Sequence, residues 1–311
     1  LSKTIEVPAE GTNEEIIDGL TCVLEHLMGG VPMGSEFLGV GISVVGTVDS
    51  ENCIWVNADR WPQMHELDIG AFAQKNGVEV ILKRNLDVEL EYILEKNPQW
   101  RKENLVLFHW GFGIGGAYSY QGRILDSPLG RYMDIGHTII YPKSKKRCRC
   151  GGFGCVESEA AIYALLPTFR KRFPNIKEDS EDIDKVLADP HIFDITGIKR
   201  AVDTVGLCLS NLFKIFYPHR ILLVGAFVRN VKIVERLEKI ILAGMAAARY
   251  SKGERIARVA RPSLCPSRLS LLVARVFFCR GVCHCWHRGP GVCQRLHRGE
   301  PEILLPRGAH R

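Results

Sequence analysis

No apolar run in these 311 residues approaches the ~18 needed to cross a bilayer; the longest candidate, Leu269 to Phe278, is far too short. A helical membrane span is therefore excluded. The first residues, LSKTIEVPAEGTNEE, have neither the basic start nor the apolar stretch of a secretion signal. The chain is expected in the cytoplasm, with no membrane partner and with thiols kept reduced. An initiating Met is missing too, and Leu1 reads as an internal start, which makes the chain incomplete. No internal repeat with a period of about 20–50 residues is evident.

Scarcity also divides the chain. From Arg255 to Arg311 there is no Lys, Asp, Asn, Thr, Tyr or Met; average usage would place roughly a dozen or more of these six types there. The same segment holds 11 Arg against 2 Glu, a charge of +9. The whole chain carries +6, so the preceding 254 residues carry −3. A basic end on a mildly acidic body ordinarily suggests nucleic acid. The composition points elsewhere: Arg, Cys, Gly, Pro, His and Leu dominate, as when GC-rich DNA is translated in the wrong frame. Residues 252–311 are read as a frameshifted or disordered Arg/Cys-rich tail.

The body has what a globular protein needs, since the chain is 46% hydrophobic and long enough for one large or two modest domains. Thr12 and Glu15 form a capping box, followed at helical spacing by Ile16, Leu20, Val23, Leu24 and Leu27 and closed by Gly29-Gly30. Leu38 to Val45 predicts a buried strand, with Gly46-Thr47-Val48-Asp49 as the turn leaving it. Val78 to Leu82 predicts another strand and Asp87 to Lys96 a helix. Asn104 to Trp110 reads as a strand, and Ala117 to Leu125 as a hairpin bent at Gln121-Gly122. Glu157 to Phe169, Thr196 to Phe216 and Val231 to Ala248 predict helices, with the strand Arg220 to Val224 between the last two. This alternation is that of an α/β protein with a buried sheet.

Two local patterns carry chemistry. Gly111, Gly113 and Gly115-Gly116 formally match a dinucleotide-binding turn, but a helix should follow such a turn. Here AYSYQGRIL alternates like a hairpin, so the dinucleotide reading is set aside and the glycines are taken to allow close backbone approach. The sharper pattern is Cys148-x-Cys150-Gly-Gly-x-Gly-Cys155. Three thiols in a glycine-rich loop suit a tetrahedral Zn²⁺, with His137 as the fourth ligand. Four protein ligands would close the site, making the zinc structural. A looser set in the tail, Cys279, Cys283, Cys285 and His287, is weighed as a second metal site and set aside on the reading-frame argument.

The stretch GFGIGGAYSYQGRILDSPLGRYMDIGH, followed by CRCGGFGCVE, resembles the signature of the ROK family of bacterial repressors and sugar kinases. The resemblance extends weakly from about Thr4 to Ala248. It implies a two-lobed actin-like ATPase fold (ribonuclease H-like, hexokinase-type) truncated at the N-terminus. Residues 1–103 would be a remnant of the first α/β lobe, and residues 104–251 a larger lobe with the zinc loop. By the same resemblance Asn85, Asp134, His137 and Glu157 would bind a small sugar or sugar phosphate, and a homodimer is possible. Gly225, in LLVGAF, falls in the turn that faces adenosine in the family.

The departures matter as much. The family's catalytic base is the Asp that follows Asn85, and here that position is Leu86, which cannot accept a proton. Asp87 could substitute only if the register shifted by one residue, and Arg84 also differs from the family's usual residue. The family's N-terminal phosphate loop is not in the sequence. Without base and phosphate loop, phosphoryl transfer, which depends on positioning and charge neutralisation, is not expected. The sequence therefore resembles the sugar-sensing part of a ROK repressor of the xylose or N-acetylglucosamine type, which would reach DNA only through a helix-turn-helix outside these residues. The alternative is an N-terminally truncated ROK sugar kinase.

Overall fold

The computed structural model describes residues 3, 5, 7, 8, 10–31, 36–126, 130, 132–176, 181–246, 255–258 and 273–279. Cys265, Cys283, Cys285, His287 and Cys293 of the tail lie outside them. The expected capping box opens the first helix, α1 (Asn13–Met28): the Thr12 hydroxyl accepts from Glu15 N–H, and the Glu15 carboxylate accepts from Thr12 N–H. One face, Ile16, Leu20, Val23 and Leu24, is buried.

Strand β1 (Glu36–Val44) runs parallel to β5 (Val80–Arg84), Val40 opposite Val80. Between them lies a small antiparallel sheet of β2 (Thr47–Asp49), β3 (Ile54–Ala58) and β4 (Trp61–Asp68), then helix α2 (Ile69–Asn76). The segment expected as a turn, Thr47–Asp49, is thus a strand paired with β3. Trp55, Trp61 and Met64 fill this part of the core, and the Trp55 ring meets Trp61 edge-on with centroids 5.5 Å apart.

Helix α3 (Asn85–Lys96) leaves β5 directly and leads to β6 (Leu105–Trp110). The glycine-rich turn then feeds β7 (Ile114–Tyr120), a strand and not a helix, so the dinucleotide motif is absent here. Gln121 and Gly122 both have positive φ (48° and 80°) and close the hairpin to β8 (Arg123–Ile124), the backbone that a two-residue turn of this hand requires. The expected helix from Glu157 is two, α4 (Val156–Ala160) and α5 (Ile162–Arg172), with Pro167 inside the second. Helices α6 (Glu181–Ala188) and α7 (Ile198–Phe216), strand β9 (Arg220–Val224) and helix α8 (Val231–Ala246) follow.

Two segments of the tail are described. Strand β10 (Arg255–Arg258) extends a sheet ordered β10-β9-β6-β7-β8, and β11 (Val273–Cys279) lies antiparallel on β1. Three apolar clusters follow this plan: one around β1 to β5, one around β6, β7 and helices α5 to α8, and a third between them. The third is made by Leu86, Leu90, Ile93 and Leu94 of α3 on Leu105, Leu107, Ala117, Leu222 and Val224. Thus α3 grows out of the first sheet and packs on the second, which places its first turn at the junction. Among the described residues no helix is long and apolar enough to cross a membrane.

Candidate metal centre and ligand site

The Cys-rich loop is a compact hairpin. Cys148 N–H donates to Gly152 O at 2.8 Å, and Arg147 bridges Phe153. Gly154 has φ +71°, and a Cβ there would stand 2.1 Å from Tyr141 O, so only glycine allows the return to Cys155. His137 ends a short turn (Ile135–His137) and meets this loop. One ligand atom each from His137, Cys148, Cys150 and Cys155 lies within 4.8 Å of all the others. Zinc–sulfur bonds of about 2.3 Å in a tetrahedron put sulfurs about 3.8 Å apart. Cys150 Sγ and Cys155 Sγ are 3.8 Å apart, and Cys148 Sγ is 3.4 Å from His137 Nδ1. The four groups therefore fit a metal ion of that size.

Without an ion, the charges of these groups are set by one another. Burial works against ionising Cys148, but hydrogen bonds with His137, Cys150 and Tyr163 outweigh it and pull the thiol down to about 6. Burial, then the charge of Cys148, pushes Cys155 up to about 12. A hydrogen bond to Asp59, then one to Cys148, pushes His137 up to about 12. One thiolate is thus paid for by an imidazolium, and a second is refused. A divalent cation on the four groups would replace that proton and admit the other thiolates.

Glu159 anchors the loop from below. Its wholly buried carboxylate accepts from Ser144 Oγ at 2.6 Å and pairs with Lys146 at 3.0 Å and Arg200 at 3.2 Å. Burial alone would raise its pKa; Ser144 and Lys146 outweigh that and hold it below the usual carboxylate range. Arg149, between two of the cysteines, stacks over the Tyr163 and Phe112 rings at 4.2 and 4.7 Å.

His137 has a second face. Its Nε2 lies 3.4 Å from Asp59 Oδ2 and 3.7 Å from Asp134 Oδ1. Glu157 joins them: ligand atoms of Asp59, His137 and Glu157 fall within 4.8 Å of one another. Glu157 is buried, and its Oε2 accepts from Ile114 N–H at 2.8 Å. A Cβ at Gly113 would come within 3.0 Å of that oxygen, so the glycine turn is what lets the carboxylate in. Burial, against the Ile114 hydrogen bond, pushes Glu157 up to about 7. Asp134, His137 and Glu157 therefore come together, and Asp59, on the turn between β3 and β4, joins them from the small antiparallel sheet. Nothing in the sequence linked Asp59 to them.

The β5–α3 corner differs. Asn85 is the first residue of α3 and makes no hydrogen bond to that cluster. Leu86 is buried, and a Cβ at Gly115 would meet its Cδ1 at 2.9 Å. Asp87, also buried, is gripped by Arg84 through Nε at 3.0 Å and Nη2 at 2.6 Å. Gly225 has φ +111°, and a Cβ there would clash with Trp110 O, so this turn presses on the end of β6.

The profile described as "ROK family" matches residues 2–257. The chain belongs to the ROK family. Its ROK relatives include enzymes and regulators. Over 222 residues it is 25% identical to a glucokinase of Thermotoga maritima, covering 65% of this chain and 68% of that protein. Over 202 residues it is 24% identical to a xylose repressor of Caldicellulosiruptor bescii, covering 60% of this chain and 49% of that one. Among solved structures, a ROK family glucokinase from Streptomyces griseus in complex with glucose and AMPPNP matches with a TM-score of 0.63 at 19% identity, over 79% of this chain and 83% of that one. The fold is the two-lobed, actin-like ATPase α/β architecture. Kinases and repressors share it, so membership alone does not separate a regulator from an enzyme.

Proposed function

We propose that this chain is the sugar-sensing domain of a ROK-type transcriptional regulator, taking a small sugar between its lobes beside a structural zinc. The lobes would be residues 1–103 and 104–251, with the tail 252–311 appended to them. The observation that carries this reading is the contrast at the junction. Leu86 puts buried hydrocarbon where a kinase needs a base, and Asp87 is committed to Arg84. Glu157, Asp134 and His137 meanwhile gather acceptors and a donor of the kind that hold sugar hydroxyls. Asn85 would complete that set once a sugar bridges to the start of α3. His137, Cys148, Cys150 and Cys155 would hold the zinc, which would supply no chemistry and would fix the loop that leads into α4, where Glu157 sits. In this role, DNA contact falls to a helix-turn-helix outside these 311 residues, and sugar would act by shifting lobe populations. A homodimer is part of the same proposal.

The second reading, a sugar kinase, draws on the glucokinase relatives. Titration calorimetry with D-glucose, D-xylose and N-acetylglucosamine, beside a coupled assay for ATP-dependent phosphorylation, separates the two. Sugar binding without phosphorylation supports the sensor. Phosphate transfer to any of the three overturns it in favour of the kinase, and no binding at all removes both.

A further inference from the structure

Arg84 is the last residue of β5, in the first sheet, and its side chain is only 12% exposed. It spends two donors on Asp87 of α3 and a third, Nη1, on the Tyr132 carbonyl at 2.6 Å. The planar guanidinium suits this task, because its fork can hold a carboxylate with two N–H groups and still aim a third elsewhere. Tyr132 is followed by Met133, whose backbone is left-handed at φ +61°. A long side chain rarely adopts that conformation, and it persists only where its surroundings hold it. Downstream, the Met133 and Ile135 side chains are buried, and Gly136 sits so close to Ile114 O that a Cβ would stand 2.1 Å from it. Upstream, Arg84 supplies the polar hold. The turn between these anchors carries Asp134, and His137 follows directly after it, 3.7 Å from Asp134.

We propose that Arg84 is a positioning residue: a strut from the β5–α3 junction that fixes the strained turn at Tyr132–Met133 and so aims Asp134 and His137. Its importance for ligand affinity rests on the sugar reading above; its hold on the turn does not. Asp87 orients the guanidinium, which explains why a buried carboxylate stands one place beyond Leu86.

The test is hydrogen exchange by mass spectrometry on the full chain, with Arg84→Met and Arg84→Lys compared with wild type. In Arg84→Met, peptides covering residues 132–138 should exchange about tenfold faster or more, while β6 and α7 keep their protection. Lysine keeps the charge and its ammonium donors but has no planar fork, so Arg84→Lys should fall between. D-glucose or D-xylose, whichever wild type binds, should bind Arg84→Met about tenfold more weakly. Unchanged exchange at 132–138 in both variants overturns the proposal, as does an equal rise everywhere. Faster exchange of the turn with unchanged sugar affinity overturns the positioning role. Faster exchange with no sugar bound by wild type leaves the strut supported and removes the sugar reading.

Discussion

At the β5–α3 corner, Arg84 gives two donors to Asp87 and a third to a backbone carbonyl. At the metal-loop corner, a similar stock of one cationic ring and its carboxylates is arranged differently. Glu157 Oε2 takes one backbone N–H, its Oε1 takes no hydrogen bond among the described residues, and Asp134 stays partly exposed beside His137. The two corners show that polar residues at a cleft need not make it reactive. What decides is whether their hydrogen-bonding capacity is spent inside the protein or left over for a guest. On the proposed reading, the first corner would be closed to chemistry and the second open to binding.

The largest expected effect tests the open corner. Cys150 is exposed, so Cys150→Ser removes a ligand without disturbing the core. Metal content by plasma mass spectrometry should fall from near one per chain to near zero, and protection of residues 134–157 should drop. Structural zinc in small peptides is worth about 10–16 kcal/mol, so even a fraction of that is a large change; metal content equal to wild type would defeat the ligand set. Next comes the closed corner. Leu86→Asp buries a carboxylate against Leu90 and Gly115 and should cost about 3 kcal/mol by denaturant unfolding, without creating ATP-dependent glucose phosphorylation. Phosphate transfer by this variant would mean that the corner is a kinase site missing one group.

Glu157→Gln sharpens the contrast through pH. The folded carboxyl is pushed up to about 7 from 4.5, chiefly by burial. The stability it contributes is therefore fully present below pH 4.5 and is lost as pH rises through 7. Glutamine has no such dependence, so the variant should gain on wild type by about 1–3 kcal/mol between pH 5 and 8, read as a widening difference in Tm. A constant difference would show that the group is not desolvated. The smallest effect belongs to Arg149→Leu, which removes exposed cation–π contacts worth about 0.5–1 kcal/mol and should leave metal content intact. Loss of metal there would make the stacking part of the centre.

What could be foreseen divides along sequence distance. The Thr12–Glu15 cap, the Gln121-Gly122 hairpin and the Cys148–Cys155 loop are local, and each was legible because its partners lie within a few residues. Strand β4 was not. Its buried residues Trp61, Met64 and Leu67 recur every third position, because Glu66 takes a left-handed backbone (φ 44°) and the pairing with β3 is irregular, so the two-residue alternation of a strand is lost. The break between α4 and α5 was hidden for another reason. Ala161 turns extended (ψ 158°) and Ile162 N–H donates to Gly111 O, a bond made across the fold. Asp59 and the Arg84–Tyr132 contact are long-range in the same way. Leu86 announced itself only against the family's pattern, and its burial against Gly115 needed the fold.

His137 has one further consequence. Its two nitrogens belong to a single conjugated ring, with Nδ1 turned to the thiols and Nε2 to Asp59 and Asp134. Electron density drawn from one nitrogen is felt at the other. A ligand that replaces a carboxylate at Nε2 therefore alters the donor strength offered at Nδ1, and an ion held there would register the guest's arrival without touching it. On the proposed reading, a metal that stiffens the loop would double as its built-in electronic reporter.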